Sequence, residues 1–391
     1  MKLRRLSEAG LKGRRVFVRC DLNVPMTEGV IEDDTRMLAS LETLNHLLGN
    51  GNSLIVASHL GRPRGRVVPE LSLKLVGERL SELLERPVRM AFDCVGEEAS
   101  SLAGTLNPGE VLLLENLRFH EGETKGDEEF ARALASLAEV YVNDAFGACH
   151  RAHASVSGIP TIIPGYAGLL IDREVAALEQ LLHGEGSFTA VLGGAKVSDK
   201  IGLVRNLLDK VDNILIGGGM AFTFLKAMGF EIGRSLLEED RLEEAREVLE
   251  LAVEKDRQLL LPGDAAAASA PDDPSGMQTC HMDVFPSDRM GVDIGPNTAA
   301  VFAKEIRQSD RVFWNGPMGI FEVPEFASGT NAVAQAIAET DGFTLIGGGD
   351  SVSAVNKLGL TDRIDHISTG GGASLEYVEG RELPGIAALM E

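Results

Sequence analysis

The sequence predicts an α/β fold in two domains, each a mainly parallel sheet covered by helices, and three observations carry the prediction. Short apolar runs rich in Val, Ile and Leu alternate with stretches of helical period through both halves, the pattern of βαβ units. At 391 residues the chain exceeds the length at which a single core usually keeps growing, so two domains are expected. Finally, the two halves end their strands differently. In the second half, apolar runs close on paired or tripled glycines at 190–194, 214–219, 345–349 and 367–372. Glycine after a strand lets bare backbone N–H groups approach an anion. In the first half the runs at 16–23, 54–62 and 112–118 deliver arginine and histidine instead. Two anion sites of different design imply two substrates meeting across a cleft.

Taken in order, candidate strands of the first half lie at 15–20, 53–58, 88–91, 111–114 and 139–142. Residues 34–48 read as a helix with Met37, Leu38, Leu41, Leu44 and Leu48 on one face, Asp34 or Thr35 as N-cap, and Gly49 and Gly51 as terminators. Arg36 then falls in the first turn, where the helix dipole disfavours a cation. It is well placed if an anion binds there, or if it pairs with Glu32 or Asp33. Turn formers crowd 158–168, and 169–183 reads as one long helix, an interdomain hinge. Second-half strands are expected near 188–192, 213–217, 258–261, 311–314 and 343–347. A helix at 240–256 turns Leu242, Ala245, Leu249, Ala252 and Val253 inward, and residues 264–290 read mostly as loop.

Composition limits the function classes. Hydrophobic content of 44% and charged content of 25% suit a folded soluble protein, and no apolar run is long enough to span a bilayer. The basic start reaches Lys12 and Arg14 before any long apolar stretch, so no signal-peptide core is present and a cytoplasmic location is expected. A formal charge of −22 repels nucleic acid and anionic membrane. Cys20, Cys94, Cys149 and Cys280 form no C-x-x-C pair, which argues against structural zinc and a disulfide framework.

None of the glycine turns is a G-x-x-x-x-G-K-[ST] loop or a G-x-G-x-x-G opening a helix. Each alone is explained by a tight strand-to-helix turn; the chemistry beside them is not. Lys196 and Lys200 follow a strand end at a helix start, where ammonium groups and backbone N–H groups can share a polyphosphate. Asp350, at another such turn, is a hard oxygen ligand suited to a Mg²⁺ held by phosphates, or a helix N-cap. The segment 314–322 combines an apolar edge with Asn315 and Glu322, suited to a nucleoside's base and ribose hydroxyls. His150 and His153 lack a partner at ligand spacing and are weak as a metal site; phosphate binding with Arg62, Arg118 and Arg151 is the better use.

Ordered motifs run the length of the chain: Arg-Cys-Asp-Leu-Asn-Val-Pro at 19–25, Ser-His-Leu-Gly-Arg-Pro at 58–63, Glu-Asn-Leu-Arg-Phe at 115–119 and Asn-Asp-Ala-Phe-Gly at 143–147. They continue with Gly-Gly-Ala-Lys-Val-Ser-Asp-Lys at 193–200, Trp-Asn-Gly-Pro-Met-Gly at 314–319, Gly-Gly-Gly-Asp-Ser at 347–351 and Ser-Thr-Gly-Gly-Gly-Ala at 368–373. By these motifs the chain resembles the phosphoglycerate kinase family from end to end. The resemblance implies two Rossmann-like three-layer αβα domains, at 1–168 and 185–372, joined by a hinge helix at 169–184, with the tail 373–391 packing back on the first. The implied reaction is reversible phosphoryl transfer between 1,3-bisphosphoglycerate and MgADP, giving 3-phosphoglycerate and MgATP.

By resemblance, Asp21, Leu22, Asn23, Arg36, His59, Leu60, Gly61, Arg62, Arg118 and Arg151 hold the phosphoglycerate, with Arg36 nearest the reacting carboxyl. Lys196, Gly371 and Gly372 neutralise the phosphoryl group in flight. Lys200, Asn315, Glu322, Gly348, Gly349, Asp350 and Ser351 hold the nucleotide, Asp350 also its metal. The family is usually monomeric. Two departures, the alanine run 265–268 and Arg289 where an aromatic is common, are expected to lie away from the chemistry. The rival readings are an NAD-dependent dehydrogenase, which the glycine spacing and lysine pair do not suit, and a nucleotide-binding scaffold that has lost catalysis.

Overall fold

In the computed structural model, which describes residues 2–391, the chain divides into two units: residues up to Ala176 with Glu382–Glu391, and Ala177–Arg381. The division falls inside the helix Leu169–His183, so that helix runs through both units. The tail expected to return from residue 373 returns from 382 instead. The helix Gly372–Glu379 stays with the second unit, and the last residues join the first through Gly385 N–H donating to the Cys149 carbonyl and a bridge between Leu3 and Met390.

The first unit is built on six parallel strands: β1 (Arg15–Arg19), β2 (Ser53–Ala57), β3 (Val88–Met90), β4 (Val111–Leu113), β5 (Val140–Asn143) and β6 (Gly165–Ala167), in the order β3-β4-β2-β1-β5-β6. β1 and β2 lie inside, with Val16, Phe17, Val18, Leu54, Ile55 and Val56 fully buried, which is why they read as unbroken apolar runs rather than alternating ones. β6 falls where the sequence reads as linker. Its Gly165 is there for close packing: a Cβ would stand 2.8 Å from Pro160 and 3.2 Å from the Tyr141 ring.

The helix Thr35–Gly49 buries Met37, Ser40, Thr43, Leu44, Leu47 and Leu48. That inward stripe takes in two hydroxyls and leaves Leu38 half exposed, against the expectation that Leu38 faces the core. Neither Asp34 nor Thr35 caps the helix by its side chain; Asp33 accepts from the Thr35 N–H at 2.8 Å.

The second unit repeats the plan with β7 (Phe188–Leu192), β8 (Asn213–Ile216), β9 (Gln258–Leu260), β13 (Arg311–Asn315), β14 (Phe343–Gly347) and β15 (His366–Ile367), in the order β9-β8-β7-β13-β14-β15, every pairing parallel. Between β9 and β13 the chain forms an antiparallel sheet of β10 (Asp264–Ala268), β11 (Gln278–His281) and β12 (Met290–Ile294), where the sequence reads mostly as loop. The alanine run hides this strand because it lacks β-branched residues. Ala265, Ala267 and Ala268 are buried, the first two packing with Phe222, Met282 and Phe285, and the Asp264 carboxylate accepts from N–H groups of Asn297 and Thr298 at the start of the helix Pro296–Arg307.

In the helix Leu242–Glu254 the buried residues are Ala245, Val248 and Ala252, spaced i, i+3, i+7; Val253, expected inward, is 81% exposed. Among the described residues no helix is long and apolar enough to cross a membrane.

Candidate active site

In the first unit the C-terminal ends of β1 and β2 and the loops after β4 and β5 deliver a buried cationic patch. Arg19, His59 and Arg118 are each at most 6% exposed, and Arg151 is half-buried. Arg19, the last residue of β1, donates to the Ser155 hydroxyl at 2.9 Å and to the Cys20 carbonyl, and its Nη2 lies 3.1 Å from His59 Nδ1. A guanidinium has no acceptor and stays protonated, so His59 Nδ1 must accept and the ring proton sits on Nε2. Burial, then the charges of Arg19, Arg118, Arg151 and His153, hold the His59 pKa well below its ordinary value. His59 is therefore a neutral imidazole with one N–H to offer.

Burial and the neighbouring Arg151 and Arg19 push the Arg118 guanidinium down to about 10. Repelling cations held this close favour an anion between them. The counter-charge comes from beneath: Glu123, fully buried, accepts from the Ser155 hydroxyl at 2.7 Å and its N–H at 3.0 Å.

Around the patch the backbone is tied down by side chains. Arg36 donates to the Asn23 carbonyl at 3.0 Å and lies 3.5 Å from Asp21, its close ion-pair partner, while the pKa of Asp33 is lowered first by hydrogen bonds from Thr35 and then also by the Arg36 charge. The Asn23 amide oxygen accepts from Gly61 N–H at 2.8 Å, and Arg118 Nη1 donates to the Gly61 carbonyl at 2.8 Å. Leu22 N–H donates to the Ser58 hydroxyl, and Asn116 both accepts from Leu60 N–H and donates to its carbonyl. Thus Asp21, Leu22, Asn23, Arg36, His59, Leu60, Gly61 and Arg118 are brought together. Arg62 projects exposed just beyond Gly61. Arg19, Glu123, Ser155 and Asn116 are not singled out by the sequence; Arg19 and Asn116 lie inside the motifs at 19–25 and 115–119 and are the two with a signal.

In the second unit the ends of β7, β8, β13 and β14 are knitted by backbone. Gly193 N–H donates to Asn315 O, Gly194 N–H to Pro317 O, Gly218 N–H to Met318 O and Met220 N–H to Gly194 O, all at 2.9–3.0 Å. A Cβ on Gly218, at φ 69°, would stand 2.6 Å from the nitrogen and oxygen of Gly194, so only glycine permits this approach. Lys200 reaches under the turn, its ammonium donating to Gly193 O at 2.5 Å and Asn315 O at 2.9 Å. Burial lowers its pKa to about 8, against the opposing pull of Asp350 and Asp199.

Asn315 donates its amide to the Gly347 carbonyl at 2.7 Å and the Ser351 hydroxyl accepts from Gly316 N–H at 2.6 Å, so the turns after β13 and β14 brace each other. The segment 314–322, read from sequence as an apolar edge for a base, sends Pro317, Met318, Gly319 and Ile320 to a cavity wall, whereas its Trp314 is fully buried with its indole N–H on Gly316 O. Trp314 is core, because β13 is an inner strand covered on both faces.

Beside these turns lies a cavity of about 280 Å³ whose walls include Phe222, Leu236, Met290, Gly291 and Met318, with Glu322 and Asp350 among its lining residues. The antiparallel sheet supplies one wall. Of the two departures expected to lie away from the chemistry, the alanine run reaches this cavity through Ala265, while Arg289 is not in its lining although its neighbours Met290 and Gly291 are. Lys196, Glu322, Gly349, Asp350 and Gly372 are exposed, and Gly348 and Gly371, at positive φ, precede the helices Gly349–Lys357 and Gly372–Glu379. Free N–H groups at two helix starts, an ammonium and an apolar slot suit a base with a phosphate chain.

The comparisons with known proteins agree with this chemistry. The family model described as phosphoglycerate kinase matches residues 6–381. A curated phosphoglycerate kinase from Dictyoglomus turgidum is 51% identical over 388 residues, covering 99% of this chain and 98% of its own. Among solved structures, phosphoglycerate kinase from Coxiella burnetii aligns with a TM-score of 0.91 at 39% identity over 99% of both chains. That from Pyrococcus horikoshii aligns with a TM-score of 0.86 at 33% identity, over 99% of this chain and 98% of the other.

Proposed function

The chain belongs to the phosphoglycerate kinase family, and on that premise we propose how its own residues divide the work. The activity is the family's phosphotransfer between 1,3-bisphosphoglycerate and ADP, giving 3-phosphoglycerate and ATP. The observation that carries the residue assignments is the pairing of a buried Arg19–His59–Arg118 patch in one unit with a glycine-lined cavity in the other.

Arg62, Arg118 and Arg151 hold the remote phosphate of phosphoglycerate, and His59 donates its Nε2 proton as a neutral group. Asp21 and Asn23 orient the sugar-acid hydroxyl and, with Arg36, the reacting carboxyl end, while Leu22, Leu60 and Gly61 shape the backbone around it. The base occupies the cavity beside Leu236 and Met318, with Glu322 placed for the ribose. Lys200, Gly348 and Gly349 face the phosphates, whereas Asn315 and Ser351 act through the turns they brace. Lys196, Gly371 and Gly372 neutralise the transferring group. An exposed carboxylate at a cavity lined with phosphate-binding turns fits a hard cation, so Asp350 would hold Mg²⁺. That ion, when bound, disperses charge on the nucleotide phosphates.

The acyl phosphate is activated and the attacking ADP oxygen is ionised, so no covalent nucleophile or general base is required. Positioning and charge neutralisation suffice. Because the two substrates belong to different units, transfer requires closure about the helix Leu169–His183, which also excludes water. We expect the protein to act as a monomer.

Purified protein with Mg²⁺ should consume 3-phosphoglycerate in an ATP-dependent way, read by coupling the product to NADH oxidation. Turnover that persists without 3-phosphoglycerate, or tight MgADP binding with no turnover, would overturn the assignment.

A further inference from the structure

Outside the mechanism, one group of side chains is set for a different chemistry. Asp93 and Cys94, in the loop after β3, and His120, at the start of the helix Glu121–Lys125, bring a carboxylate oxygen, a thiol sulfur and a ring nitrogen within 4.8 Å of one another. We propose that these three residues form a binding site for a thiophilic divalent cation, with Zn²⁺ the best match.

Three features argue for it. The donor set is one sulfur, one nitrogen and one oxygen, which suits a tetrahedral borderline metal with its fourth position open to water and does not suit Mg²⁺ or Ca²⁺. Ligand atoms around a tetrahedral zinc stand roughly 3.5 Å apart, so side-chain rotation alone closes the set. The ligands are also held and reachable. The His120 ring stacks on Phe130 with centroids 5.1 Å apart, and Phe130 N–H is held by Asp127. Asp93 Oδ1 accepts from Cys94 N–H at 2.6 Å and lies 2.6 Å from His120 Nε2. Cys94 is buried, while the Asp93 and His120 side chains are 51% and 33% exposed, which gives the ion a way in.

On binding, the Cys94 S–H bond gives way to a sulfur–metal bond and the proton passes to solvent. The ion replaces the direct Asp93–His120 contact with a bridge between two loops. His120 follows Arg118 by two residues, so the site lies on the turn that carries a phosphoglycerate ligand.

The test is titration of tag-free, nucleotide-free protein, in a non-chelating reductant, with Co²⁺. The proposal expects a sulfur-to-cobalt charge-transfer band saturating at one equivalent, bleached by Zn²⁺, and a Zn²⁺-dependent rise in Tm. Cys94→Ser should abolish the band, and His120→Ala should weaken Co²⁺ binding at least about tenfold. No band in the wild type overturns the proposal. A band unchanged in Cys94→Ser and in His120→Ala also overturns it, since the metal would then sit on another thiol.

Discussion

Replacing Lys200 by Met separates a nucleotide ligand from a structural strap. In the free protein the ammonium is largely buried under the Gly193–Gly194 turn, and burial takes its pKa from 10.5 to about 8. That lowering corresponds to about 3 kcal/mol. The unfolded chain holds this proton more tightly, so the cost is fully present below pH 8 and is recovered as pH rises from 8 to 10.5. Lys200→Met removes that cost but leaves the carbonyls of Gly193 and Asn315 without their donor, at about 1–3 kcal/mol each.

The two effects offset, and stability at pH 7 should stay within about 3 kcal/mol of wild type. The difference between the two proteins should grow in favour of wild type above pH 8. Losing a charged hydrogen bond to phosphate costs about 1.5–3 kcal/mol, so MgADP affinity should fall about ten- to 150-fold. Urea unfolding at pH 7 and pH 10, with calorimetric titration of MgADP, measures both. A variant that is severely destabilised yet binds MgADP normally would refute the reasoning and make Lys200 a strap only.

Asp144 is fully buried, with one oxygen accepting from Thr43 and Leu170 N–H and the other unpartnered, and burial raises its pKa to about 7. The folded state binds this proton more tightly, so stability falls as pH rises from about 4 to 7. Asp144→Asn should gain about 1–3 kcal/mol at pH 8 and flatten that slope in chemical denaturation, and a loss at both pH 5 and pH 8 would contradict this. Arg19→Met removes the donor that fixes the His59 ring. Its ¹⁵N spectrum should change from a pure Nε2–H form to a mixture while KM for 3-phosphoglycerate rises; an unchanged spectrum would remove Arg19 from that role. Gly291→Ala would place a Cβ 1.9 Å from the Phe222 ring, displacing the cavity wall. KM for ADP should rise several-fold with that for 3-phosphoglycerate unchanged, and no change would exclude this wall from the nucleotide site.

Both parallel sheets were legible because buried parallel strands write themselves as Val-, Ile- and Leu-rich runs, as in β1, β2 and β7. The antiparallel sheet was not, since Ala265, Ala267 and Ala268 carry no strand signature and derive their burial from Phe222 and Phe285 far away in sequence. Helix faces were blurred where polar residues turn inward, as Ser40 and Thr43 do. The exposed ends of the site announced themselves as glycines, lysines and arginines after strands. Its support did not: Glu123 is hydrogen-bonded to Arg19 through Ser155, and Asn315 and Ser351, legible as site residues, turn their side chains to backbone, a role the sequence does not show. The absence of a C-x-x-C pair argues against structural zinc, yet folding sets Cys94 beside His120.

Lys196, at the transferring phosphoryl group, and Arg36, at the reacting carboxyl end, serve the transfer step and not nucleotide binding. Steady-state kinetics of Lys196→Ala and Arg36→Ala, with MgADP affinity measured in parallel, test this most directly. In each variant kcat should fall about 10²–10³-fold while MgADP affinity changes little. Near-normal kcat in either variant would contradict the role assigned to that residue.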